Sequence, residues 1–421
     1  MEGQSQSLRS LYVSAGSINT ASDALGTMVA LQVAATGGTQ QTVSLAAASY
    51  SLGFLIGCFF VARPLRGVGH IRAFAAAAAV CTICTLVLNL TSNSFSIVLV
   101  RLVTGIATAG LYAIGDAWIN DTAGPEVRGR TLSIYAIVFG VSAVASQVLV
   151  AMISDNLAEG FIVVSVLFCV AIVVLAMTTT SPPDSGSPAT VRLKATFTAS
   201  PTAFVGTFIN GAIVTVLLNV MPYNAVQVGI GPAMISLMIA TIYLGRIVFQ
   251  YPLGLVSDQM DRRRVILCVS LTTAGILALI ALTAHGDGAA LYGQRGELMR
   301  VFVFSILLLL GASFLPLYSL LVAHACDRTV PVYVASSAVT LLFVYTLGGI
   351  VGPLLATSIS NTFGPQVTAW SISAVMILFS GFTAFRMRKV APVSSAEQAV
   401  HIPIGNTSIE MMPRQKRPSN E

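Results

Sequence analysis

The stretch VFVFSILLLLGASFLPLYSLLVAHAC, residues 301–326, contains no Asp, Glu, Lys or Arg. A helix needs about 20 apolar residues to cross a hydrocarbon core roughly 30 Å thick, so this run is one membrane span. Residues 131–154, 160–183 and 265–286 are also charge-free and one span long. Residues 195–245 and 329–385 are charge-free over two span lengths. Turn residues divide each: Pro222, Asn224, Gly229, Gly231 and Pro232 in the first, Ser360, Asn361, Gly364 and Pro365 in the second. The first 130 residues hold four more spans. Twelve helices are predicted, near 10–34, 43–63, 72–91, 95–119, 130–153, 160–180, 200–223, 232–255, 264–284, 298–323, 332–358 and 365–386. The first is the most dilute, with Ser14, Ser17, Asn19, Thr20, Ser22 and Asp23 inside it.

Composition agrees. Of 421 residues only 9% are charged and 55% are hydrophobic, and the mean hydropathy is +0.84. Soluble chains carry about 25% charged residues. A soluble enzyme, a nucleic-acid binder and a disordered chain are excluded on this count. The formal charge of +6 has a topological origin, because Lys and Arg are retained on the cytoplasmic side. With the N-terminus inside, eighteen of the twenty-two Lys and Arg fall in cytoplasmic segments. Arg295 and Arg300 fall outside, and Arg101 and Arg246 within spans. Both termini are therefore expected in the cytoplasm. No cleavable leader is expected, since the first span is too polar.

The expected organisation is an N-terminal six-helix bundle (1–180), a Pro/Ser-rich cytoplasmic linker (181–199), a C-terminal six-helix bundle (200–388) and a polar, disordered cytoplasmic tail (389–421). Cys81 and Cys84 form a C-x-x-C inside an Ala-rich helix, which reads as packing. The four histidines are scattered, so no metal site and no cofactor is expected.

The two halves repeat. At a separation of 192 residues Gly53 matches Gly245 and Arg72 matches Arg264. At 206, Gly105 matches Gly311, Tyr112 matches Tyr318, Asp121 matches Asp327 and Pro125 matches Pro331. The longer external loop 285–297 absorbs the difference. Both separations lay a six-helix unit on another in the same orientation, a parallel repeat of the kind found in transporters.

A parallel 6+6 repeat with basic, Gly-containing loops after helices 2 and 8 resembles the major facilitator superfamily. The loop after helix 8 runs from Gly254 through Asp258 and Asp261 to Arg262, Arg263 and Arg264. It resembles that superfamily's G-x-x-x-D-[RK]-x-G-x-[RK]-[RK], with Gln259 and Asp261 as departures. The loop after helix 2 carries Arg63, Arg66, Gly69, His70 and Arg72 without the usual Asp. Its wording, with R-G-R-x-L-S-I-Y at 128–135 and G-G-I-V-G-P-L-L-A at 348–356, is similar to a bacterial subgroup of inner-membrane permeases that includes some riboflavin importers. The G-x-x-x-G-P of drug/proton antiporters, expected in helix 5, stands instead at Gly348–Pro353 in helix 11, which weighs against drug efflux by proton antiport. Arg66, Arg72, Asp121, Gly254, Asp258 and Arg262 to Arg264 are read as a cytoplasmic latch, with topology determinants as the alternative. Asp258 would cap a helix start and pair with a loop arginine, a contact that breaks when the cytoplasmic side opens.

Ionisable residues at bilayer depth cost about 2.5–3.5 kcal/mol each on insertion scales and need a reason. Asn19, Asp23 and Thr27 share one face of helix 1. Arg101, Thr104, Thr108, Tyr112 and Asp116 form a stripe on helix 4, and Tyr243, Arg246 and Gln250 one on helix 8. Asn210 lies in helix 7 and Tyr318 in helix 10. In the resembled fold, helices 1, 4, 7 and 10 line a central cavity with help from 2, 5, 8 and 11. Asp23 and Arg246 are expected as its charged pair, for solute binding or proton coupling; a fixed interhelical ion pair is the alternative. Arg101 matches the superfamily's helix-4 arginine, with proton linkage or snorkelling as its roles, and Asp116 is expected to serve solute binding or coupling, with the cytoplasmic latch as its alternative. Two deep arginines and no lysine favour a neutral or singly charged organic solute, a flavin among them. A monomeric, proton-coupled secondary transporter is the leading reading. An ATP-driven pump lacks its phosphate loop. A membrane-embedded enzyme or a non-transporting receptor are the readings of another class.

Overall fold

The computed structural model describes residues 2–60, 69–122, 128–177, 190–283, 297–364 and 367–391. Among them every regular element is helical. One bundle contains α1 (Glu2–Ala35), α2 (Gln40–Phe60), α3 (His70–Leu90), α4 (Ser94–Thr122), α5 (Arg128–Met152) and α6 (Leu157–Ala176). The second opens with α7, which runs in succession through Pro201–Thr215, a π-helical turn at Val216–Val220 and Met221–Gln227. It continues with α8 (Pro232–Gln259), α9 (Arg262–Thr283), α10 (Glu297–Phe314 continued by Leu317–Arg328), α11 (Val334–Phe363) and α12 (Val367–Lys389). An even number of passes brings the start of α1 and the end of α12 to one end of the molecule, here called the terminal face; the other end is the far face.

Eleven of the twelve are long and apolar enough to cross a membrane, and α1 is the exception. Its surroundings explain it. Ala21, Ala24, Leu25, Met28 and Ala30 of α1 are wholly enclosed, because α1 packs against α5, α6 and the far end of α7. A span that faces protein has no lipid to satisfy, so its polar residues are held by neighbours.

The repeat is visible at atomic detail. A Cβ added to Gly53 would collide with the carbonyl of Leu102, and one added to Gly105 with that of Tyr50. In the second bundle Gly245 meets Leu308 O and Gly311 meets Ile242 O. The same separations of 192 and 206 residues relate all four glycines and all four carbonyls. Each bundle therefore repeats one crossing, α2 on α4 and α8 on α10, where backbones touch because neither partner carries a side chain; the second bundle adds a crossing of α7 on α11 at Gly211 and Gly348.

Two details refine this picture. The end of the linker region carries a short helix at Leu193–Ala199, which packs Phe197 on Phe204 with ring centroids 5.3 Å apart. Pro222 does not end α7; it lies just after the π-helical turn, which accommodates its missing N–H and its ring. The break comes at Val228–Gly231, where Gly229 adopts φ +83°. The six cysteines are all free. The tail from residue 392 lies outside the described residues.

Candidate functional site

The two bundles meet around a cavity of about 180 Å³ lined from α1, α2, α4, α5, α7, α8, α10 and α11. Asn19, Asp23, Arg101, Tyr112 and Arg246 all face it. Asp23 comes from the first bundle and Arg246 from the second, and the two charges interact electrostatically. Asn19 orients the acid. Its Nδ2 donates to Asp23 Oδ2 at 3.1 Å and to Phe139 O at 3.2 Å, while its Oδ1 accepts from Tyr112 OH at 3.1 Å. Gln250 does not line the cavity; its Oε1 accepts from Arg246 Nε at 3.0 Å and so holds that guanidinium from behind.

Arg101 does not snorkel. It is 3% exposed, and its guanidinium lies 4.3 Å from the centroid of the Tyr50 ring. Its Nε and Nη1 have no hydrogen-bond partner among the described residues. Cation–π attraction of about 2 kcal/mol offsets part of such a desolvation cost. Tyr50 is in electrostatic reach of both Arg101 and Asp23.

The repeat shows how unevenly this charge is distributed. Asn19 and Asn210 are separated by 191 residues; the same step from Asp23 leads to Val214, and 192 residues back from Arg246 lies Phe54. Val214 and Phe54 both line the cavity. Arg101 has Leu307 as its counterpart. Each charged position thus has an apolar mate, a difference that symmetry alone would not produce.

Other expected residues lie elsewhere. Asp116 accepts a hydrogen bond from Tyr135 OH at 2.6 Å and is buried outside the cavity lining. Asn210 donates to Phe314 O at 2.8 Å, holding α7 to α10 just before α10 breaks at Leu315. Tyr318 is buried against Tyr345 at 5.0 Å between centroids, and it is Tyr345 that reaches the cavity. Asn210 and Tyr318 support the wall without forming it. Tyr50, Tyr345 and Asn219 were not singled out from sequence. Tyr50 and Tyr345 each precede by three residues a glycine at a helix crossing, Gly53 and Gly348, and so share its inward face. Asn219 lies on the π-helical turn, its side chain seated where a Cβ on Gly26 would be.

At the far face hydrogen bonds cross between bundles. Tyr223 OH donates to Gly38 O at 2.8 Å, Ser360 Oγ donates to Gln40 Oε1 at 3.1 Å, and Ser44 Oγ meets Thr357 Oγ1. Interhelical bonds of this kind average about 0.6 kcal/mol in membranes, so three are worth about 2 kcal/mol.

At the terminal face Arg262, 1% exposed, pairs with Asp258 at 2.9 Å and with Asp327 at 2.7 Å, and donates to Ser257 Oγ at 2.7 Å. Arg263 grips Asp261 at 2.8 Å. Gly254 is buried, and Arg264 and Arg72 are exposed. Arg66 and the side chain of Asp121 lie outside the described residues. The expected Asp258–arginine pair is present, and through these contacts Arg262 joins α8, α9 and α10. These contacts tie helices within the second bundle.

A family model, the Major Facilitator Superfamily, matches residues 11–201 and again 203–413. The chain belongs to the Major Facilitator Superfamily. It is a multi-pass membrane transporter, not an enzyme. It is 22% identical over 362 residues to the "Uncharacterized MFS-type transporter YcaD" of Salmonella newport (strain SL254), covering 84% of this chain and 89% of that one. Its fold is similar to the nucleoside transporter NupG, with a TM-score of 0.75 at 11% identity over 93% of this chain and all of that one. It is also similar to a bacterial homologue of the human lysosomal transporter Spinster in an inward-facing, unoccupied conformation, with a TM-score of 0.73 at 14% identity over 92% and 97% of the two chains. At these identities the superfamily likeness to solved structures carries the fold alone.

Proposed function

We propose that this superfamily member is a proton-coupled secondary transporter of a small, neutral or singly charged organic solute, working by alternating access as a monomer in the bacterial inner membrane. The observation that supports it is the placement of Asp23 and Arg246 on opposite bundles facing one cavity. A proton delivered to Asp23 removes one of two opposite charges that attract the bundles, and so changes how readily they rock apart. The Lys and Arg distribution makes the terminal face cytoplasmic. The hydrogen-bonded far face is then the closed external gate.

The cavity is smaller than the roughly 300–1,000 Å³ of pockets that enclose drug-sized ligands, which favours a compact solute. Riboflavin is the larger alternative: Tyr50, Tyr112, Phe139, Tyr243 and Tyr345 line the site and offer stacking faces for a planar ring. Purified protein in proteoliposomes, offered labelled nucleoside, pentose, monocarboxylate and riboflavin under a proton gradient of either direction, tests the reading. One solute is expected to accumulate with the gradient and to leak back when a protonophore is added. Accumulation of none, or transport indifferent to gradient and protonophore, would sink proton coupling. Extrusion driven by inward proton flow would establish antiport.

A further inference from the structure

At the terminal face, where α7, α9, α10 and α12 converge, lies a second pocket of about 10 Å³, room for a single oxygen atom. Its walls include Ser200 and Thr202 at the start of α7, Arg263 on α9, His324 and Arg328 on α10 and Arg386 on α12. It shares no lining residue with the central cavity.

Two independent features make it a site for an acceptor. Ser200 occupies the N-cap of α7 without making a capping bond, although serine there ordinarily accepts from a first-turn N–H. It is 1% exposed, and its Oγ has no hydrogen-bond partner among the described residues. The first internal bond of α7 runs from Phe204 N–H to Ser200 O. The N–H groups of Thr202 and Ala203 therefore precede the helix's own ladder, at the positive end of its dipole.

Charge selects the occupant. Arg263, Arg328 and Arg386 surround the pocket; Asp261 forms its ion pair with Arg263, and Asp261 and Asp327 act on Arg328 electrostatically, so the three arginines outnumber the acids near them. Arg263 also donates to Val390 O at 2.8 Å and Arg328 to Ala391 O at 3.0 Å, which fixes both guanidinium groups in place. Arg388 and Lys389 close the last turn of α12. A hydroxyl and the amide end of a helix, ringed by arginines, match the several acceptor oxygens of an oxyanion.

We propose that this pocket binds a phosphate group. One oxygen enters and accepts from the Ser200 hydroxyl and the first-turn amides of α7; the others face Arg328 and Arg386. The ends of four spans lie at headgroup depth, so the phosphate comes from an anionic phospholipid or from free phosphate. Its binding clamps α7, α9, α10 and α12 together and leaves the solute cavity untouched, so it is independent of the transport reading.

The full chain, delipidated in maltoside detergent, would be titrated with inorganic phosphate and with short-chain phosphatidylglycerol. Thermal unfolding and native mass spectrometry would report binding. Stabilisation by both marks a general oxyanion site, and by phosphatidylglycerol alone a lipid headgroup site. In either case Arg386→Gln and Ser200→Ala are expected to weaken binding on the order of tenfold. Ser200→Thr, which keeps the hydroxyl, and Arg300→Gln, a cation at the far face, should bind as wild type. The proposal is overturned if neither probe stabilises the wild type, or if Ser200→Ala and Arg386→Gln bind no worse than Arg300→Gln.

Discussion

Arg262→Met is expected to lower stability by about 3–5 kcal/mol, because it removes the arginine shared by two buried carboxylates. The side chains of Asp258 and Asp327 are only 10% and 2% exposed, and both lose a charged partner at once. Their own repulsion then adds to the desolvation cost. Thermal unfolding of the detergent-purified protein and its yield as a monodisperse peak measure the loss. Adding Asp258→Asn and Asp327→Asn to the same chain should recover most of it, since the remaining groups are neutral and can hydrogen-bond each other. A wild-type midpoint for Arg262→Met alone would show that the network does not hold α8, α9 and α10 together. Arg263→Met is a milder comparison. Burial pushes the Asp261 carboxyl up, but the Arg263 hydrogen bonds more than offset this and hold it below the ordinary carboxylate range. Such a pair contributes fully above the ordinary carboxylate pKa and is lost as pH falls through the depressed one, so Arg263→Met should cost least in acid.

Asp23→Asn is expected to abolish gradient-driven accumulation while leaving solute exchange intact. The replacement has the same shape and can still accept from Asn19, so the fold is preserved. What it removes is the proton site. Each proton moved through 100 mV supplies about 2.3 kcal/mol, equivalent to an accumulation ratio of about 50-fold. The variant should fall from that level to unity, whereas counterflow of labelled against unlabelled solute continues. Accumulation at the wild-type level at every pH would remove Asp23 from coupling. Loss of exchange together with accumulation would place it in binding instead.

The membrane class, the number of spans and the duplication were all legible, for a physical reason. Lipid exposure forces long charge-free runs, and backbone crossings force glycine at Gly53, Gly105, Gly245 and Gly311. Asp23, Arg101 and Arg246 could be read because a charge at bilayer depth needs a cavity or a partner. Aromatic and amide residues carry a smaller penalty than a charge, so Tyr345 and Asn219 stood out less. Asp327 was recognised only as the mate of Asp121, yet its pairing with Arg262 spans 65 residues. Loop motifs name the ends of such contacts without saying which bundle supplies them. Asn210 and Tyr318 show the converse error. Polar residues on a cavity helix also bind the next helix, and helical periodicity does not separate the two faces.

The π-helical turn at Val216–Val220 has an arithmetic consequence. Asn19 and Asn210 are 191 residues apart, whereas Gly53 and Gly245 are 192 apart, so the second copy gained one residue between these landmarks. The wide turn lies in that interval. One residue is about 100° of azimuth on an α-helix, and a wide turn is a place where a helix can take up such an extra residue. Asn219 on that turn lines the cavity and Tyr223, one turn on, reaches Gly38 of the other bundle, so one short irregularity couples the pocket wall to the far-face contact.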